Sequence, residues 1–428
     1  MALNGDVVAA KRGIFLPTVP FNAAVSAIST LVPLSILALG GSVIEVGFAS
    51  VAYNLALIPA PLIWGHICDV TASRRKVMVL AASILLMATV AMFLSNSIIT
   101  IVLAYAAIAH AAGMLSPPLT LLIIESLPES EWDRGYVTSS WYSTAGTVFG
   151  LAAGLVWELF FPLTTFLIIC AAFAAASLAL TVFLTRDPLM TVERRTLFIN
   201  PQAFITRLSQ LPLLFEKMPR PSDFASVMRL AREELTRDIP IIIVSSVLFS
   251  ASLNVFYTSY TPYLKANQLT DWEVYLTSLY VNAMNGVASW FVLKRLKGSV
   301  TPFITSAALA ARALGMLLAA ALAIFIVGGA TLFTTLLTFT LIGLAYTIIA
   351  VNLNSLFFRA LPAGRQGGLL GVYSAFNGTA LFLGSLASGY ISYYLGYPMT
   401  FFVGGILVFL SAAVLQAHFG GGSPPSDE

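Results

Sequence analysis

The chain carries little charge for its length. Of its 428 residues only 10% are Asp, Glu, Lys or Arg, whereas 58% are hydrophobic. A soluble domain has about 25% charged residues, because its surface must face water. The deficit excludes an ordinary soluble fold and favours a protein whose outer surface contacts lipid.

Cysteine and histidine are also scarce. The two cysteines, Cys68 and Cys170, form neither a CxxC pattern nor a disulfide framework, and the three histidines are scattered. We therefore predict no metal site and no cofactor. The chain also lacks a GxxxxGK[ST] loop, so we expect no nucleotide hydrolysis by this chain.

Long apolar runs fill most of the sequence. A helix needs about 20 apolar residues to cross a bilayer core. Twelve runs meet this need, near 15–40, 43–64, 77–95, 98–126, 136–158, 162–184, 240–264, 272–293, 300–327, 330–358, 369–395 and 398–418. The first is too long for the apolar part of a cleavable signal. We predict an all-α integral membrane protein with twelve transmembrane helices.

The basic residues are distributed unevenly between the links. Twenty of the 22 Lys and Arg lie in the N-terminal segment or in even-numbered links, and the exceptions are Lys265 and Arg312. The positive-inside rule then places both termini in the cytoplasm, with the chain in the cytoplasmic membrane. The long link 186–239 is predicted to join an N-terminal half, 1–185, to a C-terminal half, 240–428. A membrane-surface helix or regulatory element within this link is the alternative.

The two halves share a sequence pattern. In each, a Leu-Pro pair is followed by an arginine, and a Tyr-Ser pair comes eight residues after that arginine. The two copies are Leu127-Pro128, Arg134 and Tyr142-Ser143, and Leu361-Pro362, Arg365 and Tyr373-Ser374. An internal repeat at equivalent places predicts two pseudo-symmetric six-helix bundles.

A short motif follows the second apolar run. Gly65 is followed four residues later by Asp69, and then by a basic cluster at residues 74–76. This segment resembles the signature loop of the major facilitator superfamily. A degenerate second copy has Gly286 and, where the aspartate would stand, Trp290. The resemblance implies a secondary transporter that works by alternating access between its halves.

The same resemblance implies a conformational latch at the cytoplasmic end. An aspartate at the end of a span can pair with arginine or bind a helix N-terminus, and such a contact can form in one state and break in the other. The alternative is that the basic residues only set topology. The predicted latch residues are Gly65, Asp69, Arg74, Arg75, Glu125 and Arg134.

Ionisable residues are rare in the middle of the spans. His110 is a candidate proton site, because imidazole exchanges its proton near neutral pH. The alternative is a neutral histidine bonded to a neighbouring helix. Arg312 could meet an anionic substrate, but span nine is peripheral in the superfamily. That position favours a structural role for Arg312, or an error in the span boundary.

Uncharged polar side chains are more frequent there. Amides and phenols suit a neutral or amphipathic solute that is hydrogen-bonded and stacked on aromatic rings. The alternative for each residue is a hydrogen bond between helices. The predicted substrate-binding residues are Asn22, Asn54, Tyr142, Asn254, Tyr257, Asn282, Asn285, Tyr346 and Asn377.

Together these features predict a monomeric secondary transporter for a small neutral or amphipathic organic solute, with the lipid bilayer as its surroundings. Proton-coupled efflux and uptake of a sugar or other metabolite are variants of this function. The alternatives from other classes are a membrane-embedded enzyme, a non-transporting sensor and a permease partner of an ATPase. The absence of clustered acids and histidines disfavours the enzyme, and nothing indicates a nucleic-acid partner.

Overall fold

The computed structural model describes residues 14–71, 73–127, 132–185, 187, 238–295, 302–360 and 366–419. Within these residues we distinguish thirteen α-helices, and a 3-10 turn, Leu163–Thr165, that precedes α7. The helices are α1 Thr18–Ala38, α2 Val43–Leu57, α3 Ala60–Thr71, α4 Arg74–Phe93, α5 Ile98–Ser126, α6 Trp132–Glu158, α7 Phe166–Leu184, α8 Asp238–Ala266, α9 Asp271–Arg295, α10 Pro302–Phe325, α11 Ala330–Ala360, α12 Gln366–Leu395 and α13 Tyr397–Phe419.

The second predicted span is divided into two helices. Helix α2 ends at Leu57 and α3 begins at Ala60, so the break falls at Ile58 and Pro59. Proline has no backbone N–H to donate and its ring clashes with the preceding helical turn, which explains a break here. The basic cluster also differs from expectation, because Arg74 to Lys76 form the first turn of α4 and are not part of a link.

Eight of the described helical segments are long and apolar enough to cross a membrane. They are α1, α4, α5, α7 with its 3-10 turn, α8, α10, α11 and α13. The remaining described helices are α2 and α3, which are short, and α6, α9 and α12. The last three each pack against a helix that is distant in the sequence. Helix α12 packs against α2, and α9 packs against α6. A face that contacts another helix or a cavity does not need the apolar side chains that lipid requires.

The helices pack as a first group, α1–α7, and a second group, α8–α13. Helix α6 lies against α1 through glycines. A methyl group on Gly150 would lie 2.1 Å from the carbonyl oxygen of Ala23, and one on Gly146 would lie 2.3 Å from that of Val19. Only glycine therefore fits at these two positions, and it allows the two backbones to approach closely.

The two groups touch at one end of the bundle, which we call the Gly47 end. A methyl group on Gly47 would lie 3.2 Å from Cα of Gly389, and one on Gly154 would lie 2.3 Å from the ring of Tyr275. The Tyr275 hydroxyl also donates to the carbonyl oxygen of Ala27 at 3.0 Å. Contacts between α2 and α12, and between α6, α9 and α1, thus close this end.

The opposite end, which we call the Gly65 end, is more open. A methyl group on Gly286 of α9 would meet no described atom within 4 Å. One on Gly65 of α3 would meet only Pro117, which belongs to the same group of helices. At these two motif glycines the described residues therefore show no contact between the groups.

Candidate functional site

A cavity of about 560 Å³ lies between the two groups of helices. Side chains of α1, α2, α5 and α6 line one side of it, and side chains of α8, α9, α11 and α12 line the other. The volume falls in the range of sites for small molecules, about 300–1,000 Å³. Both groups of helices therefore contribute to one candidate site.

The cavity wall is polar but carries no formal charge. Hydroxyl groups, amides and phenols alternate with apolar side chains, and none of the described lining residues is Asp, Glu, Lys, Arg or His. Such a wall can hydrogen-bond a polar solute and stack on its flat faces. It provides no ion pair at the surface that a solute would touch.

Six of the nine predicted binding residues line this cavity. They are Asn54, Asn254, Tyr257, Asn282, Asn285 and Tyr346.

The amide nitrogens of three of these asparagines are already bound by the protein. Asn54 Nδ2 donates to the carbonyl oxygen of Ser50 at 2.8 Å, Asn254 Nδ2 to that of Leu381 at 2.9 Å, and Asn282 Nδ2 to that of Ser278 at 2.9 Å. In Asn285 the side-chain oxygen is buried, and it has no partner in the part of the chain that the structure describes. Asn254 and Asn282 therefore keep a side-chain oxygen and a second N–H for hydrogen bonds with a solute.

The other three predicted residues do not line the cavity. Asn22 donates to the carbonyl oxygen of Thr18 at 2.8 Å, one turn before the lining part of α1. The ring of Tyr142 packs on that of Phe15, with the centroids 5.8 Å apart. Asn377 accepts hydrogen bonds from Ser246 at 2.8 Å and from Ser250 at 2.7 Å, and so ties α12 to α8.

Most hydroxyl residues of the wall were not singled out from the sequence. On α1 the lining residues Ser26, Ser29, Thr30 and Pro33 recur at three and four positions, which is the spacing of one helical face. That spacing was a usable signal. Hydroxyls in spans are weak indicators, however, because many bond to their own helix, as Ser29 does to the carbonyl oxygen of Val25 at 2.8 Å.

A buried arginine stands directly behind this wall. Arg312 is fully buried in the middle of α10, which excludes an error in the span boundary. Its Nη1 donates to the carbonyl oxygen of Ile342 at 2.6 Å. The guanidinium carbon lies 5.6 Å from the ring centroid of Phe249, 5.8 Å from that of Tyr257 and 5.5 Å from that of Tyr346. Two of these rings, Tyr257 and Tyr346, line the cavity, so Arg312 lies close to the site although α10 does not line it.

Comparison with known proteins agrees with this architecture. The family model described as Major Facilitator Superfamily matches residues 14–367. The chain belongs to the Major Facilitator Superfamily. It is therefore a multi-pass membrane protein of a superfamily of transporters, which bind small-molecule solutes within the membrane. No curated protein sequence gives a match.

Solved structures of superfamily transporters share the fold. The chain matches the nucleoside transporter NupG with a TM-score of 0.67 at 13% identity, covering 96% of this chain and 99% of the other. It matches tetrameric PepTSo2 with a TM-score of 0.72 at 14% identity, covering 97% of each chain. A D-xylose–proton symporter matches with a TM-score of 0.67 at 12% identity, also covering 97% of each. At these identities the likeness concerns the fold alone.

The residues of the signature-like loop form contacts within the first group of helices. Arg74 Nη2 binds Glu125 Oε1 at 2.7 Å, and Arg74 Nη1 donates to the carbonyl oxygen of Cys68 at 2.9 Å. The Arg75 backbone N–H donates to Asp187 at 2.8 Å, and its guanidinium donates to the carbonyl oxygen of Val182 at 2.5 Å. These contacts join the start of α4 to α3, to α5 and to the end of α7.

The other predicted latch residues lie on α3 and α6. Gly65 is in the middle of α3, and Asp69 is in the last turn of that helix. Arg134 lies in the first turn of α6. The side chains of Asp69 and Arg134 are outside the described part of the structure.

His110 of α5 contacts both sides of the break between α2 and α3. Trp64 Nε1–H of α3 donates to His110 Nε2 at 2.9 Å, and His110 Nδ1 lies 3.3 Å from the carbonyl oxygen of Ala56 in α2. A neutral imidazole with its proton on Nδ1 satisfies both contacts. His110 is not among the described residues that line the cavity.

Proposed function

We propose that this superfamily member is a secondary transporter that moves a small, polar, neutral or amphipathic organic solute across the cytoplasmic membrane. The observation that carries the proposal is the cavity between the two groups of helices, closed at the Gly47 end and open around Gly65 and Gly286. A site that both groups share can be exposed to each side in turn when the groups rock against each other. The amides, hydroxyls and phenols of its wall support a solute rich in hydrogen-bonding groups.

Two structural neighbours are described as transporters of solutes of this kind. NupG is described as a nucleoside transporter, and another neighbour as a D-xylose–proton symporter. Nucleosides and pentoses both carry several hydroxyl groups, which the acceptor oxygens of the cavity asparagines can bind. Export and uptake, with or without protons, are variants of the same mechanism. The two hydrogen bonds of His110 favour a structural role for this residue over proton transfer.

We propose twelve crossings, with α2 and α3 as two parts of one broken crossing. Residues 1–185 and 240–428 then form the two halves, joined by the cytoplasmic link 186–239. Both termini lie in the cytoplasm on this proposal, so the Gly47 end faces outward and the structure is open towards the cytoplasm. Asp69 would complete its latch only in the opposite state, when the Gly65 end closes. We further propose a monomer without enzymatic activity and without a nucleic-acid partner.

A screen followed by a flux measurement tests the proposed function. Purified protein is screened against polar metabolites by thermal shift, and each compound that stabilises it is tested for entry into liposomes that contain the protein but no ATP. We expect entry down the compound's own gradient. Binding without entry would instead indicate a sensor, and entry that requires ATP and a partner would indicate a permease subunit.

A variant pair links this flux to the proposed motion. Gly47→Leu places a large side chain in the contact with Gly389, so the Gly47 end cannot close. Gly286→Leu serves as the control for folding and binding in this state, because nothing described lies within 4 Å of a methyl group there. We expect both variants to bind the compound, and Gly47→Leu to lose flux because the Gly47 end no longer closes. Full flux in Gly47→Leu would reject alternating access through this contact.

A further inference from the structure

Arg312 is a buried cation without an acidic partner in the described part of the chain. The described ion pairs join Arg74 to Glu125, Lys265 to Asp271 and His418 to Asp238, and none of them involves Arg312. Its Nε is buried and has no acceptor among the described residues. A buried charge is costly unless something compensates for it. The bond to the Ile342 carbonyl, the long contact to the Tyr257 hydroxyl and the three aromatic rings compensate only in part.

The charge lies one side chain away from the cavity. Tyr257 and Tyr346 separate the guanidinium from the cavity that both rings line. Arg312 Nη2 lies 3.5 Å from the hydroxyl oxygen of Tyr257, at the upper limit of a hydrogen bond. When this oxygen accepts from the guanidinium, the phenol proton remains free for another acceptor. Tyr257 can then donate it to a solute in the cavity.

None of the described lining residues carries a formal charge that could offset the charge of Arg312. A buried charge acts over several ångströms, because the protein around it screens it less than water and salt would. The wall formed by Tyr257 and Tyr346 therefore has a positive potential. An anionic group is attracted to this wall, and a cationic group is repelled from it.

We propose that Arg312 makes the cavity selective for solutes that carry one anionic group, such as a carboxylate, which accepts a hydrogen bond from Tyr257 with the guanidinium behind it. The proposal rests on the proposed function. It narrows the proposed solutes to amphipathic molecules that carry a negative charge. Arg312 is a specificity-determining residue on this proposal. It acts through the two tyrosines and does not touch the solute.

Matched solutes that differ in charge test the proposal. The probes are lactate with lactamide, benzoate with benzamide, and indole-3-acetate with indole-3-acetamide, whose dissociation constants are measured with purified full-length protein. For at least one pair we expect the carboxylate to bind the wild type about tenfold more tightly than its amide, as one charge at this distance implies. Arg312→Gln should bring the two members of that pair to equal affinity, and Arg312→Lys should keep most of the difference.

Several outcomes would overturn the proposal. One is that no carboxylate binds the wild type more tightly than its amide does, which includes the case in which no carboxylate binds at all. Another is that the preference for the carboxylate persists in Arg312→Gln. If Arg312→Gln does not fold, the wild type and Arg312→Lys still decide, since loss of the preference in the lysine variant would also count against a charge effect.

The two proposals can fail separately. Entry of neutral solutes into ATP-free liposomes without any preference for carboxylates would remove the selectivity and leave transport intact. Carboxylates that bind in an Arg312-dependent way but never enter the liposomes would remove transport and leave the selectivity intact.

Discussion

The asparagines at and near the cavity differ in position more than in chemistry. Asn282 and Asn22 each donate their amide to a carbonyl oxygen four residues earlier in their own helix, at 2.9 Å and 2.8 Å. Only Asn282 lines the cavity. The pair therefore separates a contribution to binding from a contribution to helix structure.

We expect Asn282→Ala to weaken binding of the solute found by the screen. Loss of one buried hydrogen bond to a solute costs about 1–3 kcal/mol, which raises the dissociation constant about five- to a hundredfold. Asn22→Ala is the control, and we expect it to leave the dissociation constant unchanged. Equal effects of the two variants in a binding titration would show that Asn282 does not contact the solute.

The ion pair between Arg74 and Glu125 leads to a prediction about stability. Both side chains are largely buried and their charged atoms are 2.7 Å apart. Glu125→Ala leaves the Arg74 charge buried without its carboxylate, so we expect a loss of about 3–5 kcal/mol in the free energy of unfolding. The double variant Arg74→Leu with Glu125→Ala should recover most of this loss.

Arg75→Ala is the matched control, because the side chain of Arg75 is exposed. Its effect on the free energy of unfolding should stay below about 1 kcal/mol, as for other exposed charges. Denaturant unfolding in detergent measures all four proteins. A Glu125→Ala variant as stable as Arg75→Ala would show that the buried pair contributes little.

Among the helices, α6 shows how one face sets the packing of a whole element. Gly146 and Gly150 contact α1 within the first group of helices, whereas Gly154 contacts Tyr275 of the second group. A single stripe of glycines thus serves two interfaces. We expect substitutions along it to have different consequences at successive turns.

Gly150→Ala should destabilise the protein. The added methyl group would lie 2.1 Å from the carbonyl oxygen of Ala23, so α6 must move away from α1, and overpacking of this kind costs about 1–3 kcal/mol. Gly286→Ala is the control, since the space around it is open and alanine favours a helix over glycine. A thermal unfolding midpoint that falls for Gly150→Ala and not for Gly286→Ala would agree with the prediction. The reverse order would contradict it.

The elements were largely predictable because lipid imposes a simple rule on length and apolarity. Each of the twelve apolar runs overlaps a described helix. Pro59 and Pro61 favour a bend in the second span, and the structure places the break between α2 and α3 at Ile58 and Pro59. Arg74 was placed in a link because its charge marks the end of an apolar run, but its helix begins there.

The site was less predictable, because the type of a residue does not show whether it lies level with the cavity or which residues of other helices it contacts. Asn22, Tyr142 and Asn377 have the same chemistry as the lining residues but lie beyond the cavity. The peripheral position of its helix favours a structural role for Arg312, but the helix position alone does not show how far the long arginine side chain reaches. Only the packing of α8, α10 and α11 brings the guanidinium behind the cavity wall.

For the molecule as a whole, topology is the property that one labelling experiment decides. We expect Ser209→Cys to resist a membrane-impermeant thiol reagent in intact cells, because residue 209 belongs to the link that the basic residues place in the cytoplasm. The background should be low, since Cys68 and Cys170 are both buried. Labelling that appears only after the cells are opened agrees with this orientation. Ready labelling of intact cells would reverse it.

The uncharged lining of the cavity has an electrical consequence. Because no formal charge lies on the described wall, the charge that crosses the membrane with the solute is that of the solute and of any accompanying ion. Each elementary charge that crosses a potential of 100 mV involves about 2.3 kcal/mol of electrical work. A neutral solute would be insensitive to voltage, whereas a negative-inside potential would drive the export of an anion and oppose its uptake unless a cation travels with it.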